Sequence, residues 1–323
     1  MGTLARRLLD AWHRADIAVF HEFRAPPYGG GNQFLLALCR EWERRGLRLS
    51  PNRYARGVRA CLCNSFNFAF DAVCNRPRRC RLVHRVDGPV GVYRGTDDET
   101  DRRIWQLNHD LADATIFQSR YSLEKHRELG MEFRNPRVIR NAADPAVFHP
   151  RGRVAFDPSR KIRLISTSWS DNPNKGAGTY KWIEDHVDRE RYTYTFVGRS
   201  PVAFDWIRTL PPLPSEALAD ELRQHDIYIT ASRHDPCSNA LIEALSCGLP
   251  ALCLDSGGHP EIVGEGGLTF QHPEQIPSLL DALVVRYAQF QETIAVPTLA
   301  NTADRYLDAM GIERPAPNGE ALP

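Results

Sequence analysis

Two carboxylates, Asp235 and Glu243, mark the stretch of this sequence that is richest in chemistry, running from Ile227 to Pro250. The largely apolar run Asp226–Ala231 predicts a strand that ends in a polar loop carrying Arg233 and Asp235. A helix is predicted to begin near Ser238 and to stop at Gly248, with Pro250 forbidding its continuation. The first amides of such a helix, at Ser238, Asn239, Ala240 and Leu241, lack partners within it and make a seat for phosphate. Glu243 falls about one turn further on, where its carboxylate can reach sugar hydroxyls beside that phosphate. Taken singly, Asp235 reads better as a turn or capping residue, and Glu243 as a solvated helix carboxylate. The flanking text favours a site. Two more features invite the same question: Lys175, one of four lysines in the chain, and the run Gly29-Gly30-Gly31.

Elements that could position these groups alternate along the chain. Asp16–Glu22 reads as a buried strand leading through the turn-rich residues 26–31 into a periodic helix over about Asn32–Arg45. Strand-like text follows at Val58–Cys63, Arg81–Arg85, Ala114–Gln118 and Arg137–Arg140, with helical text at Asp98–Leu111 and Ser119–Leu129. Residues 141–158, proline-rich and aperiodic, read as a linker. The rhythm then restarts with strands at 162–166, 192–197, 226–231 and 250–254, separated by helices at 178–187, 218–224 and 240–247. A long helix is expected over Glu274–Gln291 and another near Thr298–Met310, before a proline-containing tail. This alternation predicts α/β architecture with two parallel sheets, each covered by helices on both faces. In doubly wound sheets ligands bind outside the carboxyl ends of strands, so the Asp235 loop is expected to face a cleft.

On these residues the sequence resembles the retaining GT-B glycosyltransferases of family 4. Their hallmark is an acidic residue, seven intervening residues and Glu, followed by A-x-x-x-G-x-P; Asp235, Glu243, Ala244, Gly248 and Pro250 match it. The resemblance implies that Asp235 binds hydroxyls of the donor sugar and Glu243 the ribose of the nucleotide. Asp235 stands where the family usually has Glu, one methylene longer. Ser256-Gly257-Gly258-His259-Pro260-Glu261 matches the small-residue turn and P-E that follow in the family, and a helix is expected to start near Pro260. Lys175-Gly176 matches the pair that the family places after the first strand of its second domain, with the lysine on the diphosphate. A cation there would stabilise the leaving group as charge builds on it. The family's arginine some six positions earlier is replaced by Trp169, which leaves Arg199 or Arg233 to supply the missing charge. Gly30 and Gly31 open a helix after strand one, as in the family, where backbone amides meet donor phosphate or acceptor. His84 is identified as the family's donor-contacting histidine; a satisfied histidine in an Asp-Gly-Pro turn is the competing reading. Arg85 and Asp87 beside it are placed to pair with each other or to meet an acceptor. Val138–Asp144 with Phe148 and Pro150 resembles the family's P-N-G-x-D…F-x-P hinge.

The fold so implied is GT-B, two Rossmann-like domains facing a cleft: an acceptor domain over 1–150, a donor domain over 151–296, and a C-terminal helix and tail over 297–323 that packs back on the first. The implied activity is transfer of a sugar from a nucleotide-diphosphate sugar to an acceptor hydroxyl, by a front-face retaining mechanism with no metal and no cofactor. The acceptor is a small molecule, a glycan or a lipid-linked group. The alternatives are a non-catalytic nucleotide-sugar binder, or a GT-B relative with other chemistry such as a pseudo-glycosyltransferase or epimerase.

Composition bounds the rest. The 323 residues, 42% hydrophobic and 25% charged, fit a globular protein with more than one core. No run reaches the roughly 18 apolar residues of a membrane span, and the opening residues are amphipathic rather than a signal peptide, so a cytoplasmic location is expected. The eight cysteines include no CxxC pair, which argues against a metal cluster or disulfide framework. Gly29–Gly31 is not a GxGxxG fingerprint, which disfavours a nicotinamide site. The overall charge of +1 divides into +8 for residues 1–150 and −7 for the remainder. That asymmetry suits an anionic acceptor or membrane face, or simply a solvated arginine-rich surface, and no nucleic-acid partner is expected.

Overall fold

The structure, a computed structural model, describes residues 14–25, 29–95 and 99–314. Most of the predicted amphipathic opening, residues 26–28 of the predicted turn, Asp98 and the tail beyond Arg314 lie outside the described residues.

Two parallel six-stranded sheets organise the chain. The first contains β1 (Ile17–Phe20), β2 (Leu49–Pro51), β3 (Ala60–Asn64), β4 (Arg81–Val86), β5 (Ala114–Phe117) and β6 (Pro136–Val138), in the order β2-β1-β3-β4-β5-β6. Its connections are α1 (Gly30–Arg44), α2 (Phe70–Cys74), α3 (Val90–Arg94), α4 (Thr100–Leu111) and α5 (Arg120–Glu128). The second sheet contains β7 (Ile162–Ser168), β8 (Tyr192–Gly198), β9 (Arg208–Leu210), β10 (Ile227–Thr230), β11 (Ala251–Leu254) and β12 (Gly267–Phe270), in the order β12-β11-β10-β7-β8-β9. Around it lie α6 (Ala177–His186), α7 (Ser215–Arg223), α8 (Asn239–Ser246), α9 (His259–Val263), α10 (Ile276–Val285) and α11 (Tyr287–Glu292), and α12 (Leu299–Met310) closes the chain.

The central strands are continuous apolar runs because both faces of a parallel sheet are covered. All four residues of β1 and all four of β10 are buried. Strand order reverses beside β7, with β8 on one side and β10 on the other. Such a reversal splays the two following loops and opens a crevice at the strands' carboxyl ends. In the first sheet the reversal lies between β1 and β3.

The end of the chain returns to the first sheet. Ala303, Tyr306, Leu307 and Ala309 of α12 are wholly buried in one core with Phe34, Leu38 and Trp42 of α1 and Val83 of β4. The Trp42 indole donates to the Ala303 carbonyl (3.5 Å), and Arg81 Nε donates to that of Ala309 (2.8 Å). A second core beneath β7, β8 and β10 collects Tyr180, Tyr194, Phe196 and Phe270.

The expected helix over Glu274–Gln291 is interrupted: a single 3-10 turn at Pro273–Gln275 precedes α10, and the backbone leaves helical geometry at Arg286 (φ −110°, ψ 28°) before α11. The break lets Tyr287 stack on Phe156 (3.8 Å between centroids) and donate its hydroxyl to the Asp226 carbonyl (2.8 Å). Strands β2 and β9, three residues each at sheet edges, and β12 carry too little apolar text to stand out in the sequence.

Leu307→Ala should lower stability by about 2–5 kcal/mol through an unfilled cavity. Val285→Ala, at a position 81% exposed, should change it by less than about 0.5 kcal/mol. Urea-unfolding midpoints of the two variants check the return of α12 to the first core.

Candidate active site

The carboxyl ends of β7 and β10 open into a cavity of about 470 Å³ between the two sheets. Lys175 reaches it from the loop after β7. Asn172 caps a single 3-10 turn there by accepting the Asn174 N–H (2.8 Å), and Gly176 ends it at φ +82°. A Cβ at Gly176 would lie 2.4 Å from the Ala231 carbonyl oxygen, so glycine alone lets this loop touch the end of β10. The Arg233 N–H donates to the Asn174 carbonyl (2.7 Å) and locks the two loops together.

Asp235 stands in the loop after β10. His234 before it adopts a left-handed backbone (φ 57°), unusual for a side chain of its size, with its N–H donated to Ser256 Oγ (3.0 Å). Gly258 donates its N–H to the Asp235 carbonyl (2.8 Å), and a Cβ at Gly257 would lie 2.2 Å from that oxygen. The Lys175 ammonium meets Asp235 Oδ2 at 2.9 Å, while Oδ1 accepts the Cys237 N–H (3.2 Å). Burial would raise the Asp235 carboxyl, but Lys175 and His259 outweigh it and hold the group below its ordinary value. The same pairing raises Lys175. Both groups are charged at neutral pH.

Ser238 caps α8 by accepting the Leu241 N–H on its hydroxyl (3.3 Å). The expectation for Leu241 is therefore corrected: its amide is occupied, its side chain is wholly buried, and it does not line the cavity. Ser238, Asn239 and Ala240 do line it, and so does Glu243. The Glu243 carboxylate has no hydrogen-bond partner among the described residues, and burial pushes it up to about 8. A carboxyl left without a partner in a cavity wall can bond the hydroxyl donors of a ligand.

Gly30 and Gly31 line the cavity from the first sheet's side. A Cβ on Gly30 would come within 2.6 Å of the Asn239 Cβ, so the start of α1 touches the start of α8. Of the two candidates for the missing cation, Arg233 lines the cavity. Arg199 does not; its guanidinium stacks over the Trp169 ring at 5.1 Å, and Trp169 itself forms part of the wall.

His84 is also a correction. It lies inside β4, paired in register with Cys63 and Thr115, and it is wholly buried. Its Nε2 bonds the Ser65 carbonyl (2.9 Å), its Nδ1 faces Asn108 (3.3 Å), and burial lowers it to about 4. It is a satisfied core histidine. The cleft residues are those just past strand ends: Asp87 after β4 and Gln118 after β5. The rule that ligands sit beyond carboxyl ends would have selected these two over a residue three positions inside the strand. Tyr93 and Arg94 at the end of α3 complete the wall and carried no motif.

Residues 185–287 match the model of the family Glycosyl transferases group 1. The architecture is GT-B, as in solved glycosyltransferases. The sucrose-phosphate synthase of Thermosynechococcus elongatus superposes with TM-score 0.67 at 14% identity, covering 93% of this chain and 95% of that one. The catalytic domain of starch synthase IV from Arabidopsis thaliana, bound to ADP and acarbose, gives 0.71 at 11%, covering 92% and 99%. In sequence, the GPI3 subunit of phosphatidylinositol N-acetylglucosaminyltransferase from Saccharomyces cerevisiae is 27% identical over 162 residues, 45% of this chain and 36% of that protein. The chain thus spans about a third of the length of the relatives it matches in sequence. No helix among the described residues is long and apolar enough to cross a membrane.

Glu243 supplies a measurable signature. Its raised value means that the folded state keeps a proton which the unfolded chain releases above about 4.5. Its effect on stability is therefore neutral below that pH, grows unfavourable as pH rises towards 8, and then levels. Glu243→Gln should gain stability relative to the parent between pH 5 and pH 8.5, read from unfolding midpoints of both proteins. A constant difference across that range would show that the carboxyl titrates normally.

Proposed function

We propose that this chain transfers a sugar from a nucleoside diphosphate sugar to an acceptor hydroxyl, with retention of anomeric configuration and without a divalent metal. The observation that carries the reading is one cavity wall holding the Lys175 ammonium, the unbonded Asn239 and Ala240 amides at the start of α8, and the partnerless Glu243 carboxylate one turn below. Amides at a helix start and an ammonium suit a diphosphate, and a carboxylate beside them suits the ribose diol. The cavity volume, about 470 Å³, falls within the range of small-molecule sites. The match to a glycosyltransferase family supports the class, and a neighbour of similar fold, HepE of Anabaena, is solved with UDP-glucose.

In this reading residues 151–296 hold the donor and residues 1–150 the acceptor, a small molecule, glycan or lipid-linked group, in the cytoplasm. The acceptor oxygen attacks the anomeric carbon on the face from which the nucleotide departs. The bond from that carbon to the phosphate oxygen breaks, its electron pair stays with the diphosphate, and the acceptor's proton passes to a diphosphate oxygen. Lys175, Arg233 and the α8 amides stabilise the charge that builds on the leaving group, which is why no metal is invoked. Asp235 acts twice, orienting Lys175 and, through its remaining lone pairs, accepting hydroxyls of the transferred sugar.

UDP-, GDP-, ADP- and TDP-sugars should be compared for their effect on melting temperature, since a ligand of the native state raises it. One series is expected to stand out, and Lys175→Ala and Glu243→Ala should each weaken its binding by about tenfold to a hundredfold. Unchanged affinity in both variants would remove this site. A separate check is the anomeric configuration of the product by NMR, where inversion would exclude the front-face step.

A further inference from the structure

The first sheet contributes a single carboxylate to the described cavity wall, that of Asp87. Its Oδ1 accepts from Arg85 Nη1 (3.0 Å) and from Gln118 Nε2, and its carbonyl accepts the Ser122 hydroxyl (2.9 Å). Its Oδ2 has no protein partner among the described residues, and the side chain is 24% exposed. One oxygen is pinned, and the other is free for a ligand.

The pin is a wholly buried arginine. Arg85 also donates to Asn64 Oδ1 (2.5 Å) and to Asn141 Oδ1 (3.2 Å), lies over the Phe34 ring (5.3 Å), and leaves its Nε unpartnered. Burying a guanidinium is costly and adds little stability that an apolar side chain would not. What the arrangement does add is geometry. Asn141 donates to Gln118 Oε1 (2.8 Å) and to Asn239 Oδ1 (3.0 Å), so the network that holds Asp87 also reaches the first residue of α8. The other cavity carboxylates are already engaged or placed elsewhere: Asp235 is held by Lys175, and Glu243 lies one turn down α8.

Building on the glycosyl-transfer reading above, we propose that Asp87 is a catalytic residue that accepts a hydrogen bond from the acceptor beside the reacting proton, and that Arg85 is the residue that positions it. The donor to Asp87 is a hydroxyl next to the attacking one, or the second hydrogen when water attacks, and the contact turns the acceptor so that a lone pair of the attacking oxygen faces the anomeric carbon. The attacking oxygen's own reacting proton leaves to the diphosphate, so Asp87 ends the step unchanged. Arg85 touches no substrate and acts through Asp87.

The test uses the full chain, with UDP-glucose or whichever screened donor most raises the melting temperature, and water as the acceptor. Nucleotide-sugar affinity and release of nucleoside diphosphate are measured separately. Asp87→Asn should bind the donor within about twofold of the parent yet release diphosphate about a hundredfold more slowly, in the range of a lost hydrogen-bonding catalytic group. Arg85→Lys should slow release about tenfold with donor affinity kept, and adding it to Asp87→Asn should cost nothing further, because both act on one contact. Should Arg85→Lys not fold, Gln118→Ala completes the same cycle from the other side of Oδ1. Losses that multiply, a full rate in Asp87→Asn, or loss of donor affinity in step with rate would each overturn the assignment. If the parent binds no nucleotide sugar, or binds one and releases no diphosphate, the glycosyl-transfer reading fails and this assignment falls with it. A parent that turns over while the variants behave otherwise than stated refutes only Asp87 and Arg85.

Discussion

The contact between the Lys175 ammonium and the Asp235 carboxylate fixes the geometry of everything at the mouth of the second sheet. It joins the loop after β7 to the loop after β10, and the latter is braced by the Gly257-Gly258 turn after β11. Each of the three loops carries a left-handed residue. Gly176 and Gly257 lie where a side chain would strike the neighbouring loop, and His234 is left-handed despite having a side chain. A non-glycine residue in that region stores roughly 1–3 kcal/mol, which surrounding contacts must offset. Ser256 accepting the His234 amide is one, and Tyr121 against the His234 ring (3.1 Å) is another. A pre-oriented ammonium spares the ligand the entropy of arranging it.

Charge in the cavity follows from the same pairing. Lys175 and Asp235 cancel, as do Arg85 and Asp87, and Glu243 with its value near 8 is mostly uncharged at neutral pH. That leaves Arg94 and Arg233 as the surplus on the described walls. A dianionic ligand would therefore meet a net cationic site in which no ionised carboxylate stands uncompensated. The rings of Tyr93 and Phe66 beside Arg94, and Trp169 beside Arg199, give these guanidinium groups apolar support at the rim.

What could be read in the sequence was whatever local text encodes. The strand-loop-helix from Ile227 to Pro250 announced itself, since an apolar run, a serine cap and a terminal glycine are local signals. Lys175-Gly176 was legible for the same reason. His84 was misplaced because sequence does not reveal which residue of a strand is its last; β4 runs on to Val86, which puts His84 in the core and Asp87 at the edge. Leu241 was misjudged because a cap's partner depends on a hydroxyl rotamer. Gln118 stood at the end of a predicted strand and was open to the same rule, whereas Arg94 matters only because distant segments meet, which no local pattern shows.

Among the described residues specific polar contacts join the two sheets, and their nature bears on how the site is completed. Glu261 of α9 accepts the N–H groups of Arg120 (3.0 Å) and Tyr121 (2.8 Å) at the start of α5, while Arg140 donates to the Glu261 carbonyl (2.6 Å). Asn174, beside Lys175, donates to the Tyr93 carbonyl (2.8 Å), and Asn141 to Asn239. Contacts of this kind exchange readily with water, unlike an apolar seam, so they favour lobes that part and re-dock. All but the Arg140–Glu261 contact include a residue at or within a few positions of a cavity-lining group. Docking the lobes therefore sets the Lys175 loop, the start of α8 and the Asp87 carboxylate in one event. A site assembled in that way is complete only when the lobes meet, whichever hydroxyl, water included, then stands in it.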